Sequence, residues 1–243
     1  MSGQALPADG VQSHAVEEFS AWWWLALPLV LAVALIFVPR LAPEFTATWL
    51  DSERGLVELS HVLIPLAGMV IALRCLQLPA LRSRPWLLAW VVLAAIGCFY
   101  TAGEEASWGQ HFLLWSTPET WSNLNDQNET NLHNVSSWFD QKPRTLLEIG
   151  IIVGGIILPI ASRLRAELRR SRFGMIVPPL LCMPTAVLAE VTRLPERIAG
   201  KLGGEDPIFP RASEVQELYF YLFVLFYLIV LRRRIATLAN PGS

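Results

Sequence analysis

The chain has 243 residues, of which 53% are apolar and only 16% charged, with a formal net charge of −2 and a mean hydropathy of +0.41. A soluble domain carries about 25% charged residues, so this balance excludes an ordinary soluble fold. The near-neutral charge gives no electrostatic footprint for nucleic acid, and no basic patch interleaves with aromatics, so no nucleic-acid partner is expected.

Residues 1–20 are polar, mildly acidic and free of Lys and Arg. That is the wrong start for a secretory signal, so they read as a tail ahead of an anchor that is retained. Apolar runs then recur that approach the roughly 20 residues needed to cross a hydrocarbon core. They fall at residues 21–38, 55–76, 86–103, 145–162, 173–192 and 214–231. Pro178, Pro179 and Pro184 interrupt the fifth, which therefore reads as a kinked span whose freed carbonyls need other partners. The expected architecture is all-α: a polytopic helical membrane bundle of about six transmembrane helices, forming a single domain over 21–234. A short tail at 235–243 follows it. The connection 104–144 is the longest, and WGQHFLLW and LHNVSSWF within it mix aromatics with polar residues, as segments lying at the membrane interface do. Cys75, Cys98 and Cys182 all lie in apolar runs and read as buried thiols.

Arginines set the expected orientation. With six spans, 11 of the 19 basic residues collect on one side, most densely in RLRAELRRSR after the fourth span. By the positive-inside rule that side is cytoplasmic, with both termini on it and the 104–144 loop outside. Only Lys142 and Lys201 are lysines, an arginine bias that suits a GC-rich bacterial genome and hence a cell inner membrane.

Placed by depth, the ionisable residues of the spans gather at one end. Glu58 and His61 open the second span, and Glu104 and Glu105 close the third. Glu148 opens the fourth, Glu190 and Arg193 end the fifth, and Glu214 and Glu217 open the sixth. Ionisable groups within a membrane are costly and mark a functional site by default. Glu58 and His61 are three apart, as are Glu214 and Glu217, so each pair shares a helix face. Pro65 deprives the His61 carbonyl of its usual donor. Glu104 and Glu105 stand about 100° apart around a helix, so both cannot point inward and one of them faces the loop. Glutamates in a first turn complement the helix dipole, which accounts for Glu58, Glu148 and Glu214 without any function. It does not account for Glu104 and Glu105, which sit at the end where the dipole disfavours them. The loop adds Glu129, Asn131 and His133 in ETNLHN. Carboxylates with one or two imidazoles form the ligand sets of zinc, iron and manganese.

GEEASWGQ and ETNLHN, together with the Gly55–Glu58 start of one span and the Glu214–Glu217 start of the last, resemble the pattern of a family of bacterial multi-pass membrane proteins of uncharacterised function. The resemblance covers about a quarter of the chain. It implies that Glu58, Glu104, Glu105, Trp108, Gln110, Glu129, Asn131, His133, Glu214 and Glu217 match the family's pattern, and it supplies no activity. Where the family commonly carries Arg, this chain has His111. A weaker likeness, to membrane-embedded CAAX-type proteases with an EExxxR motif, stops at Glu104 and Glu105. Gly109 stands in place of the Arg, and no later span holds a histidine.

The expectation is a polar cavity at the outer leaflet that binds a divalent metal (zinc, iron or manganese) and activates water or a hydroxyl against a lipid-linked substrate. Glu104 and Glu105 would be catalytic, His133, Glu214 and Glu217 metal ligands. Glu58, His61, Trp108, Gln110, Glu129, Asn131, Glu190 and Arg193 would support them. The alternative is a non-catalytic subunit whose polar network orders the outer loop to dock a protein partner or membrane lipids.

Overall fold

The structure is a computed structural model that describes residues 19–50, 55–124, 129–132, 135, 137–204, 208–209 and 211–238. His133, residues 1–18 of the N-terminal tail and residues 239–243 of the C-terminal tail lie outside them. Among the described residues every regular element is helical, and there is no strand. Six long helices organise the chain: α1 (Trp22–Leu41), α2 (Leu56–Leu76), α3 (Pro85–Glu105), α4 (apolar part Lys142–Leu164), α5 (Met183–Leu202) and α6 (Ala212–Thr237). Five of them, all but α5, are long and apolar enough to cross a membrane.

α6 is the axis. Its YFYLFVLFYLIVL run is apolar on every side, as a helix surrounded by others must be. In its apolar stretch 72% of residues are buried, against 11% for α1. α2 and α5 flank it, and α3 packs along α2. Tyr219 donates a hydrogen bond to the Pro28 carbonyl at 2.9 Å, tying α1 to the axis. Outward-facing Leu63, Leu73, Leu93, Ile96, Phe99 and Ile149 remain exposed, a surface that only an apolar solvent satisfies. Cys75, Cys98 and Cys182 are buried free thiols.

The fifth run departs from its expected bounds. Residues 172–182 are short 3₁₀ turns and irregular chain, and the regular helix begins only at Met183, with Pro184 in its first turn. The proline pair Pro178–Pro179 cannot donate the bonds a helix needs. The carbonyls just before it are satisfied from α6 instead. Tyr227 donates to Ile176 at 2.9 Å, and buried Arg234 donates to Val177 at 2.6 Å and Met175 at 3.2 Å. From there the chain runs back along α6 to place Arg197 beside Glu148 near the start of α4. A long fifth helix therefore exists, but its second half is too charged for it to count as an apolar span.

Close packing sets one small residue. A Cβ on Gly155 would stand 2.6 Å from the Ala186 Cβ and 2.8 Å from the Phe223 ring, so α4, α5 and α6 meet only around a glycine. Gly154, next to it, has open space around it. Gly155→Ala should lower stability by about 1–3 kcal/mol through overpacking, read as a drop in Tm of the detergent-solubilised protein. Gly154→Ala should leave Tm unchanged, and equal Tm values for the two would show that the helices can part.

Candidate functional site

Four helices bring their charged ends together: the start of α2, the end of α3, the start of α4 and the start of α6. Glu58 and His61 lie one turn apart on α2 and face Glu105 from the last turn of α3. One donor atom from each of the three lies within 4.8 Å of the others. His61 is 1% exposed, so its ring nitrogens answer to protein partners alone.

Those partners fix its tautomer. Nε2 stands 3.1 Å from the backbone carbonyl of Glu214 on α6. A carbonyl oxygen only accepts, so Nε2 carries the proton. Nδ1 faces the Glu105 carboxylate at 3.5 Å. In the neutral ring Nδ1 then presents a lone pair toward Glu105 and Glu58, which is the arrangement a metal-binding histidine needs. In the protonated ring it forms an ion pair with Glu105. Tyr221, one turn beyond Glu217, donates to the other Glu105 oxygen at 2.8 Å and lays its ring edge-on to His61 at 5.4 Å.

Arginines hold the neighbouring carboxylates. Arg211 bonds Glu58 at 2.7 Å and also pairs with Glu214, while Arg144 of α4 pairs with Glu217. Burial alone would lower the pKa of Arg211, but Glu214 and Glu58 outweigh it and hold the guanidinium above its ordinary value. Glu58 therefore has a standing partner that a metal would have to share. Bonds of about 2.0–2.2 Å would also draw the three donors closer together.

The two glutamates of GEEASWGQ do different work. Glu105 turns to His61, whereas buried Glu104 turns to the loop. Its Oε1 accepts from the Trp108 indole at 2.8 Å and its Oε2 from the Leu132 backbone N–H at 2.8 Å. Behind it the two loop motifs lock together. Ser107 donates to Glu129 at 2.9 Å, and Asn131, fully buried, donates to Glu129 at 2.6 Å and Ser107 at 3.0 Å. Gln110 accepts from the Thr130 N–H at 2.8 Å and donates to Thr117 at 2.7 Å. The turn that makes this possible is left-handed at Ser107, Trp108 and Gly109, with φ of 44°, 54° and 104°. Trp108 folds back over Gly103, where a Cβ would be 2.8 Å from its ring.

Of the expected site residues, Glu58, His61, Glu105, Glu214 and Glu217 come together. Glu214 contributes its backbone carbonyl to His61 and its carboxylate to Arg211. Glu104, Trp108, Gln110, Glu129 and Asn131 form the loop network instead. Glu190 and Arg193 sit in a third group on α5. There Arg197 bonds Glu148 at 2.6 Å and reaches Glu190 at 3.8 Å, and Arg193 pairs with Glu196 at 2.8 Å. Tyr221, Arg144 and Arg211 were not among the expected residues. Tyr221 carried a signal, since it lies four residues after Glu217 on the same face, as did Arg211, three before Glu214.

Comparison with protein-family models, with curated proteins and with solved structures finds no match for this chain. Function therefore rests on the chemistry of the site. Glu104→Ala should release Trp108 and the Leu132 N–H together, at a cost of about 1–3 kcal/mol for the groups left unsatisfied. Limited proteolysis should then cut the 104–135 connection faster than in the unchanged protein. Equal cleavage rates would show that the loop is held elsewhere.

Proposed function

We propose that this is a multi-pass inner-membrane protein with both termini in the cytoplasm and a divalent metal site at the outer leaflet, acting as a hydrolase or transferase on a lipid-linked substrate. One observation carries the reading. Glu58, His61 and Glu105 offer three donors within 4.8 Å of one another, with the Nδ1 of His61 left as the acceptor by the bond its Nε2 makes to Glu214. Carboxylates with imidazole suit zinc, iron or manganese. The orientation is supported by the arginine-rich connections at the opposite end of the bundle.

A metal bound there would supply Lewis acidity and an activated water. The chain's own groups supply the rest. Glu105 would hold the metal through the oxygen that faces His61, and Tyr221 holds its second oxygen and so aims the first. The Glu214 carbonyl holds the imidazole ring in place. Arg144, paired with Glu217 at the start of α4, places a positive charge at the same end, suited to a phosphate-bearing headgroup.

The loop network favours a second role for the same surface. Glu104, Ser107, Gln110, Glu129 and Asn131 tie residues 104–110 to residues 129–132 without using the metal-competent group, as a docking surface for a protein partner would require. Metal content separates the two readings. Purified protein dialysed against zinc, iron(II) or manganese should retain one of them, and His61→Ala and Glu105→Gln should each lower its affinity by about tenfold or more. Glu190→Gln, in the separate α5 group, should bind as the unchanged protein does. Failure to retain any of the three metals, with the fold intact, would leave the docking role alone.

A further inference from the structure

Beneath the charged cluster lies a cavity of about 300 Å³. Its walls are α3, through Leu93 and Gly97, and α4, through Leu147 and Gly150, and its floor is α2 and α6. Among the described residues α3 and α4 scarcely touch one another, and the cavity between them is an open cleft rather than an enclosed one. Leu93 on one rim is 62% exposed and Leu146 beside the other is 72% exposed. Exposed leucines on both rims make the opening apolar, a surface that acyl chains would satisfy and water would not.

Register ties the cleft to the site. Pro65, Thr101 and Tyr221 all line it. Pro65 lies four residues after His61, Thr101 four before Glu105, and Tyr221 four after Glu217. On three helices the top of the cleft is thus about one turn, roughly 6 Å, below a charged residue of the cluster. Tyr221 belongs to both, with its ring in the cleft wall and its hydroxyl on Glu105. A molecule that fills this space has a long apolar part and, within one turn of its end, a polar group beside His61 and Glu105.

We infer that the cleft holds one acyl chain of a membrane glycerolipid, with the ester and headgroup of that lipid presented to the Glu58–His61–Glu105 group. This rests on the reading of that group as the reactive site and names its substrate class. The occupant follows from the opening, whose exposed rims are apolar and belong to two helices long and apolar enough to cross a membrane. It follows also from the volume, at the low end for ligand sites and suited to a single chain. Two wall glycines leave the room: a Cβ at Gly97 or at Gly150 would meet nothing within 4 Å. Larger side chains at those positions can therefore fill the cleft without pushing on the helix backbone.

The test uses the whole protein in nanodiscs containing phosphatidylethanolamine with a diazirine midway along one acyl chain. Photolysis should label α3 and α4 peptides that contain Leu93–Gly97 and Leu147–Gly150. Gly97→Leu and Gly150→Leu should each cut that labelling about tenfold, while metal content stays at the level of the unchanged protein. Gly97→Ala, which adds one methyl to open space, controls for folding and should label nearly as well as the unchanged protein. Labelling that spreads evenly over the outer helix faces, or that both leucine variants leave intact, overturns the proposal. So does labelling abolished by a polyisoprenyl phosphate at a concentration where added phosphatidylethanolamine has no effect. Cleft labelling without bound metal would overturn the metal reading and leave the lipid site standing. Bound metal without cleft labelling would do the reverse.

Discussion

The hydrogen bond from His61 Nε2 to the Glu214 carbonyl is the contact on which the rest of the charged end depends. It joins α2 to the first turn of α6 and consumes the one ring proton a neutral histidine has. The other ring nitrogen is thereby turned toward Glu105 on a third helix. First-turn carbonyls normally accept from the next turn, and here one of them also accepts from a side chain, as its second lone pair allows. Burial makes the arrangement stringent. With His61 closed to solvent, neither nitrogen can exchange its partner for water, so the geometry of three helices is read out as the tautomer of one ring.

Around that contact the charges are sorted into separate groups. His61, Glu105 and Tyr221 face one another, Arg211 and Arg144 hold Glu58, Glu214 and Glu217, and Arg197 gathers Glu148 and Glu190 on α4 and α5. Arg144 and Arg211 are half-buried and Arg197 is exposed, so solvent screens these pairs in part and each is worth less than a fully buried pair would be. Together they still link the starts of α4 and α6 to α2 and α5. The loop network is built on the same economy of groups. Ser107, Asn131 and Glu129 bond one another in a closed triangle through Ser107 Oγ, Asn131 Nδ2 and Glu129 Oε2.

Much of this was legible in the sequence, because hydropathy and charge are one-dimensional signals. The limits of five apolar helices, and the gathering of Glu58, His61, Glu105, Glu214 and Glu217 at one end, follow from depth along each span. The 100° step between Glu104 and Glu105 already required one of them to leave the bundle interior. What depth cannot give is azimuth between helices. Which carboxylate meets His61 depends on how α2, α3 and α6 are rotated against one another, and Glu214 takes part through a backbone atom that its side-chain identity does not advertise. The fifth passage was placed about ten residues early because hydropathy registers apolar residues whether or not they are helical, and Pro178–Pro179 made the first part irregular. Arg193 lies one turn from its partner Glu196, a pairing that spacing offered equally with Glu190.

The proline break carries a consequence for the last helix. The carbonyls of Met175, Ile176 and Val177 take their donors from Tyr227 and Arg234, which the ribosome reaches some fifty residues later. Arg234 is 3% exposed, and a buried guanidinium is costly unless its donors are met. The irregular 175–177 turn and the far end of α6 therefore complete one another: the turn is fully bonded only once Tyr227 and Arg234 stand beside it.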